Sequence, residues 1–330
     1  MSATLQEPRV SSVSQSVTRR VDQLERERRS LRRKYSEEAL HDLRVAARRL
    51  RAALVLLEPV LPKEGKTAMK TLRKTVRATA SLRDADVQVH AVAERMRRAE
   101  DKGRRAALEH VLCGLEASRA DRRAKALEKL NRTGGQALPA SAPRAIERGA
   151  HRLEESDRGE LKELVHRAVA RDIERALLAS PPSDDEPGRE QMHRARLSLK
   201  RLRYTLELVE ALAGPRAKDL LDRLKKLQQL LGDHRDRVAL ESLFQGQLRQ
   251  LEAQGCEALA AGLRSELIDL TAEREQLFYA IRASFDSSEL SRLWNELEQS
   301  LAADAGRSED RPGLVSVRGA APGKLSAQSA

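Results

Sequence analysis

Basic side chains at helical spacing dominate the chemistry open to this sequence. His41, Arg44, Arg48 and Arg51 follow one another at intervals of 3, 4 and 3 residues, which puts all four on one face of an α-helix. Lys66, Lys70, Arg73 and Arg77 repeat the pattern at intervals of 4, 3 and 4. With Lys74 and Arg83 they make six basic residues and no acidic one between 66 and 83. Surface helices usually mix signs, because oppositely charged neighbours relieve repulsion. An unrelieved stripe costs stability and implies a bound anion. Arginine can grip phosphate oxygens in bidentate fashion, and lysine acts as a mobile point charge. A helix of about 22 residues is roughly 33 Å long, which suits a linear polymer of phosphates better than a single metabolite.

A second set of residues repeats the first. Shifted by 152 positions, His41 falls on His193, Arg44 on Arg196, Arg49 on Arg201, Leu50 on Leu202 and Arg51 on Arg203. Without a gap the same shift puts Lys66 on Lys218, Leu72 on Leu224, Lys74 on Lys226, and Arg83-Asp84 on Arg235-Asp236. Arg48 to Lys200 and Arg73 to Lys225 keep the charge. Chance alignment of helical sequences gives scattered leucine pairs, not a shared His-headed basic frame, so the chain reads as an internal duplication. His193, Arg196, Lys200 and Arg203 then form a second stripe, in a segment from 193 to 203 with five Arg or Lys and no acid. Arg49 and Arg201 sit off the stripes. The second counterpart of the 66–83 stretch is weaker, because Asp219, Asp222 and Asp233 interrupt its basic residues.

The elements that position these stripes are helices. Leu43, Leu50, Leu54 and Leu57 occupy a different face from the first stripe, and Leu199, Leu202, Leu206 and Val209 repeat that seam in the second half. Periodicity predicts helices near 11–34, 36–58, 64–81, 84–101 and 103–130, then near 144–155, 158–179, 188–213, 215–231, 235–254, 257–284 and 287–303. No strand pattern stands out. The organisation expected is a flexible start (1–10), a first helical repeat (11–130), a linker (131–143), a second repeat (144–303, with a loop at 180–188) and a disordered tail (304–330). The fold class is all-α: two similar helical bundles of long antiparallel helices, packed about a pseudo-twofold axis around a basic groove.

Composition agrees. The 330 residues carry 62 Lys and Arg against 50 Asp and Glu, a net charge of +12, which favours polyanionic partners without choosing among them. Aromatic residues number only seven, so the core must be aliphatic. Cys113 and Cys256 make no disulfide framework, and the apolar run around Cys113 predicts a buried thiol. The opening residues lack a signal-peptide pattern, and no apolar run approaches the roughly 20 residues that span a bilayer. A cytoplasmic protein without membrane insertion is expected. Nothing in the sequence fixes an oligomeric state.

Smaller features have plain readings. Asp84 and Asp236 stand where helices should begin and read as N-caps, with Asp86 an alternative for the first. The other reading is that each orients the arginine before it. His41 and His193, heading each stripe, read as donors to phosphate oxygen. No phosphate-cradling glycine loop and no His-Glu-x-x-His zinc motif is present, so no catalytic role and no cofactor are expected. A nucleic-acid binder is the alternative. Against it, the basic segments contain only Tyr204 as an aromatic on which a base could stack.

The His-x-x-Arg-x₃-Arg-Arg-Leu-Arg segment from His41, its second His-headed copy and the Arg-Asp elements together resemble the CHAD family of α-helical domains, over roughly 11–303. The resemblance implies two four-helix bundles related by a pseudo-twofold axis, with basic residues lining a central groove. It implies binding of inorganic polyphosphate and, in some members, association with polyphosphate granules. His41, Arg44, Arg48, Arg51 and Arg83 match the family's basic positions in the first repeat, and His193, Arg196, Lys200, Arg203 and Arg235 those in the second. The triphosphatase domain that often accompanies such domains, marked by Glu-x-Glu-x-Lys on a strand, has no counterpart. The nearest string, Glu25-Arg26-Glu27-Arg28-Arg29, lacks the lysine and lies in a helical segment. Leu82 before Arg83 also differs from His234 before Arg235.

Overall fold

A computed structural model describes residues 13–132, 138, 140–155, 158–178 and 189–284, with positions 292, 295, 296 and 299. Among these residues there are nine α-helices, one 3-10 turn and no strand. They are α1 (Val13–Arg33), α2 (Glu37–Leu56), the turn Glu58–Val60, α3 (Lys63–Ala78), α4 (Ala80–Arg98), α5 (Lys102–Arg132), α6 (Ala142–Glu155), α7 (Arg158–Leu178), α8 (Arg189–Ala253) and α9 (Glu257–Ser284). The all-α expectation holds. The loop 180–188, the ends 1–10 and 304–330, and nearly all of the helix expected at 287–303 lie outside the described residues.

Local chemistry sets the boundaries. Ser36 caps α2, its hydroxyl accepting from the Ala39 amide at 3.1 Å. Pro59 and Pro62 interrupt the chain after α2 and force the 3-10 turn. Asp101 caps α5 through the Arg104 amide at 2.7 Å. At the end of α8, Gly255 takes a left-handed φ of 70°. There the Cys256 amide reaches the Leu251 carbonyl at 2.9 Å and the Gly255 amide reaches Glu252 at 3.1 Å. This closing motif lets α9 turn back along α8.

The largest departure from expectation is α8. Three helices expected at 188–213, 215–231 and 235–254 are one helix of 65 residues. At the 152-residue shift, the interrupting Pro59 and Pro62 of the first half correspond to Ala211 and Gly214, neither of which blocks the helix. Pro215 removes one N–H and crowds the carbonyl four residues back, yet the backbone there remains helical. Thr79, at the α3–α4 junction, corresponds to Leu231, a buried residue that can only pack.

Two aliphatic cores result. The first joins α1, α2, α3, α6 and α7 with the first half of α8 and the ends of α5 and α9. The second is a four-helix arrangement of α4, α5, α8 and α9, with Phe244 at its centre. Each core draws on both halves of the chain. The expected seam residues Leu43, Leu50, Leu54, Leu57, Leu199, Leu202 and Leu206 are all buried in the first core; Val209 has no described side chain. Cys113 is exposed, contrary to expectation. Val111 and Leu115, one turn apart, take the inward face of α5, and a residue midway between them must point outward.

The second core holds an ion-pair network. Arg95 and Arg104 both donate to Glu266, whose side chain is 3% exposed, and Arg95 also donates to Glu273 at 2.9 Å. Beside it α9 approaches α5 through Gly262, where an added Cβ would stand 2.5 Å from the Gly103 carbonyl oxygen. The neighbour is backbone and cannot rotate away. Gly262→Ala should therefore force α5 and α9 apart and lower stability by about 1–3 kcal/mol in urea unfolding. Gly114→Ala on the open face of α5 should not, since nothing lies within 4 Å of it.

Candidate functional site

Helix α2 carries the first stripe on the face away from its leucine seam, and its residues differ in exposure. His41 and Arg51 are exposed, Arg48 is half-buried, and Arg44 is only 8% exposed. Arg44 reaches the end of α3, donating from Nη1 to the Val76 carbonyl at 2.7 Å and to the Thr79 hydroxyl at 2.8 Å. Thr79 passes its own proton to the Thr75 carbonyl at 3.0 Å. The last carbonyls of a helix lack intrahelical donors, so Arg44 works as a cap as well as a charge.

The stripes of the two halves meet. On α8, Arg196, Lys200 and Arg203 are half-buried. Burial, then the charges of Arg196, Arg48, Arg203 and Arg235, push the Lys200 ammonium from 10.5 down to about 7. Arg196 is lowered by burial and by Arg235, with Arg48 adding. Burial, then Arg48, Arg83 and Arg235, lower Arg44 to about 10. Burial, then Arg83 and Arg48, lower His41 below its ordinary value. His41, Arg44, Arg48, Arg83, Arg196, Lys200, Arg203 and Arg235 thus form one cluster drawn from α2, α4 and α8. Within it the buried Nε–H groups of Arg48 and Arg196 meet no acceptor. A buried donor left unmet costs about 1–3 kcal/mol.

A second group adjoins the first through neighbouring residues. Arg51 is lowered by burial and then by Arg201, Arg73 and Arg77, which brings α2, α3 and α8 together. The remaining candidates stand apart. Arg49 donates to Glu207 of α8 at 3.1 Å. Lys66 lines a cavity of about 630 Å³ with Val60, Leu164 and Arg171. Lys70, Lys74, His193, Lys218 and Lys226 are exposed on their helices, and Lys225 pairs with Asp222 at 2.8 Å.

Three features were not anticipated. Asp84 and Asp236 are not N-caps: both lie inside helices, at the fifth residue of α4 and deep in α8. Neither does Asp84 bond the arginine before it. It accepts from Arg235 of the other half at 2.9 Å, with Asp236 3.7 Å away on the other side of the guanidinium. Burial raises the Asp236 carboxyl, offset in part by Arg235 and Arg196. Asp86 is buried and accepts from Arg119 at 2.8 Å. Arg20 of α1 is also missed; its counterpart at the 152-residue shift is Asp172, so no repeat could mark it. Arg20 donates to the Arg49 carbonyl at 2.9 Å.

Tyr204 is 6% exposed, with the Arg203 guanidinium 4.9 Å from its ring centre. Among the described residues no group of three or more His, Cys, Asp or Glu side chains is placed to hold a metal ion. Nor is any helix there long and apolar enough to cross a membrane.

An all-helical protein with a cationic cluster fed by two matching stripes is the class these observations define. The CHAD domain family model matches residues 15–245, about 70% of the chain, and the chain belongs to that family. It is similar in structure to the CHAD domain from the plant Ricinus communis, with a TM-score of 0.58 and 23% identity over 83% of this chain and 91% of that one. It is also similar to PptA from Streptomyces chartreusis, with a TM-score of 0.56 and 20% identity over 84% of this chain and 99% of that one. No curated protein matches.

The Lys200 shift carries a signed consequence. Between about pH 7 and the ordinary lysine range near 10.5, the unfolded chain holds a proton that the folded one does not. Stability contributed by this group therefore rises with pH across that window, and below it the charged lysine is a cost. Urea midpoints measured from pH 6.5 to 9.5 should rise more for the native protein than for Lys200→Met.

Proposed function

We propose that this protein binds inorganic polyphosphate along a groove lined by the converging stripes, and that its role is binding, not catalysis. The observation that carries the reading is the cluster itself. Cations from α2, α4 and α8 stand close enough to lower Arg44, Arg196 and Lys200, and Arg48 and Arg196 each keep a buried donor without an acceptor. A chain of phosphates supplies both the missing charge and the missing oxygens. Membership of the CHAD family supports the choice of ligand, and association with polyphosphate granules follows from the same reading. The cytoplasm is its proposed location.

The reading includes the duplication. Element by element, the 152-residue shift puts α2 on the start of α8 and α5 on α9, and each such pair shares a core. A pseudo-twofold axis through both cores would bring the stripes face to face. Nucleic acid fits less well, because Tyr204 is covered by Arg203 and offers no face to a base.

The test is a titration with long-chain polyphosphate at fixed near-physiological salt, competed by single-stranded DNA, duplex DNA and RNA at matched phosphate concentration. Polyphosphate should win by more than about tenfold, a difference of roughly 1.4 kcal/mol. Arg48→Gln with Arg196→Gln should weaken binding and lower the salt slope by about one per arginine. Arg44 is unsuitable for this purpose, since its loss would also uncap α3. Equal or tighter binding of nucleic acid would sink the polyphosphate reading.

A further inference from the structure

We propose that the Arg235 guanidinium, between α4 and α8, is a phosphoryl-binding subsite that the Asp84 carboxylate occupies until a polyanion displaces it. This rests on the reading of the cluster as a polyphosphate site.

The geometry is a substitution of one oxyanion for another. Carboxylate and phosphate both present oxygen pairs to the parallel N–H groups of a guanidinium. Asp84 Oδ1 lies 2.9 Å from Arg235 Nη2, where a phosphoryl oxygen would sit. The two residues are 151 positions apart, so the contact is made by the fold and not by local chain geometry. Asp84 has no local task that would explain it. It lies within α4, and among the described residues its one hydrogen bond is the one from Arg235. Both side chains are nearly half exposed, at 42% for Arg235 and 48% for Asp84, so an incoming strand can reach the pair.

The surroundings explain why a carboxylate stands there. Asp84 acts on Arg44 across the cluster, and Asp236 acts on Arg196. In the free protein these two acids relieve repulsion among cations that have no ligand. A bound polyphosphate supplies that relief itself, and the same carboxylates then repel it. Asp84 therefore stabilises the empty state at the expense of the bound one.

An opposite role is open to the same contact: Asp84 would hold Arg235 in position for the ligand. The two roles differ in sign. If Asp84 competes, Asp84→Asn binds polyphosphate more tightly; if it positions, the variant binds more weakly. Four proteins decide the matter: native, Asp84→Asn, Arg235→Gln and the double variant, each titrated with long-chain polyphosphate at one salt concentration after a thermal-unfolding check. Asp84→Asn should bind about threefold more tightly, the scale of a partly exposed ion pair. Arg235→Gln should bind more weakly, and the double variant should bind as Arg235→Gln does, because the gain needs Arg235. Asp84→Ser gives the same ordering where the asparagine variant folds poorly, and Asp84→Glu should return to native affinity. A gain that persists without Arg235 would be a net-charge effect, and it would overturn the subsite, as would equal or weaker binding by Asp84→Asn. Failure of the native protein to bind polyphosphate removes the functional reading and this inference with it.

Discussion

Repulsion between like charges is the constraint around which this structure is arranged. Arg44, Arg196 and Lys200 are held near one another and near Arg48, Arg83 and Arg235, with part of their own hydration removed. Partial burial and proximity both disfavour the charged forms. Aliphatic packing behind the stripes opposes that cost: Leu43, Leu50 and Leu54 on α2, and Leu199, Leu202 and Leu206 on α8, share one buried core. Each leucine removed from water contributes about 1.5–3 kcal/mol. The second core solves the same problem differently. There Arg95 and Arg104 converge on a buried Glu266, and Arg237 joins through Glu273. The second core neutralises its arginines, whereas in the cluster Arg48 and Arg196 each keep a buried Nε–H without an acceptor.

Arg44 shows how finely the division runs. It belongs to the same stripe as Arg48, one turn away, yet its guanidinium is spent on the Val76 carbonyl and the Thr79 hydroxyl. The difference comes from where α3 ends. Thr75 and Thr79 return their hydroxyls to the helix backbone, and Arg44 takes a carbonyl left over. Arg48, one turn further along α2, runs back beside the body of α3, where the carbonyls are spent within the helix, and its Nε finds no acceptor. A stripe of identical residue types thus contains both a brace for the scaffold and a free donor.

Much of this was legible in the sequence, for a physical reason. Leucine seams and basic stripes are properties of one helix, and a period of 3.6 residues exposes them without knowledge of the fold. That is why the seam residues with described side chains are buried, and why His41, Arg48 and Arg51 stand off that seam. What stayed hidden depends on contacts between distant segments. The Asp84–Arg235 pair spans 151 residues, and local rules offered only capping or a bond to the adjacent arginine. The unbroken course of α8 was hidden because Gly214-Pro215 reads as punctuation, although neither residue prevents a packed helix from continuing. Cys113 was misread because apolar neighbours on either side were counted without their angular positions on α5.

Tyr204 bears on ligand choice through the same kind of contact. A base-stacking aromatic must offer a free face, and this ring is buried with a guanidinium over it. Arg203 gains the electrostatic attraction of the ring's π face, and Tyr204 is buried beneath it. The surface left to a ligand consists of guanidinium, ammonium and imidazole groups, all of which read oxyanions, together with two carboxylates that oppose them. Such a surface distinguishes polyanions by how densely their charge is spaced. Adjacent phosphates in polyphosphate share a bridging oxygen, whereas those of a nucleic acid are separated by a sugar. On the proposed reading the denser chain would meet Arg48, Arg196 and Arg235 together, and charge spacing is then the physical ground for its preference over a nucleic acid.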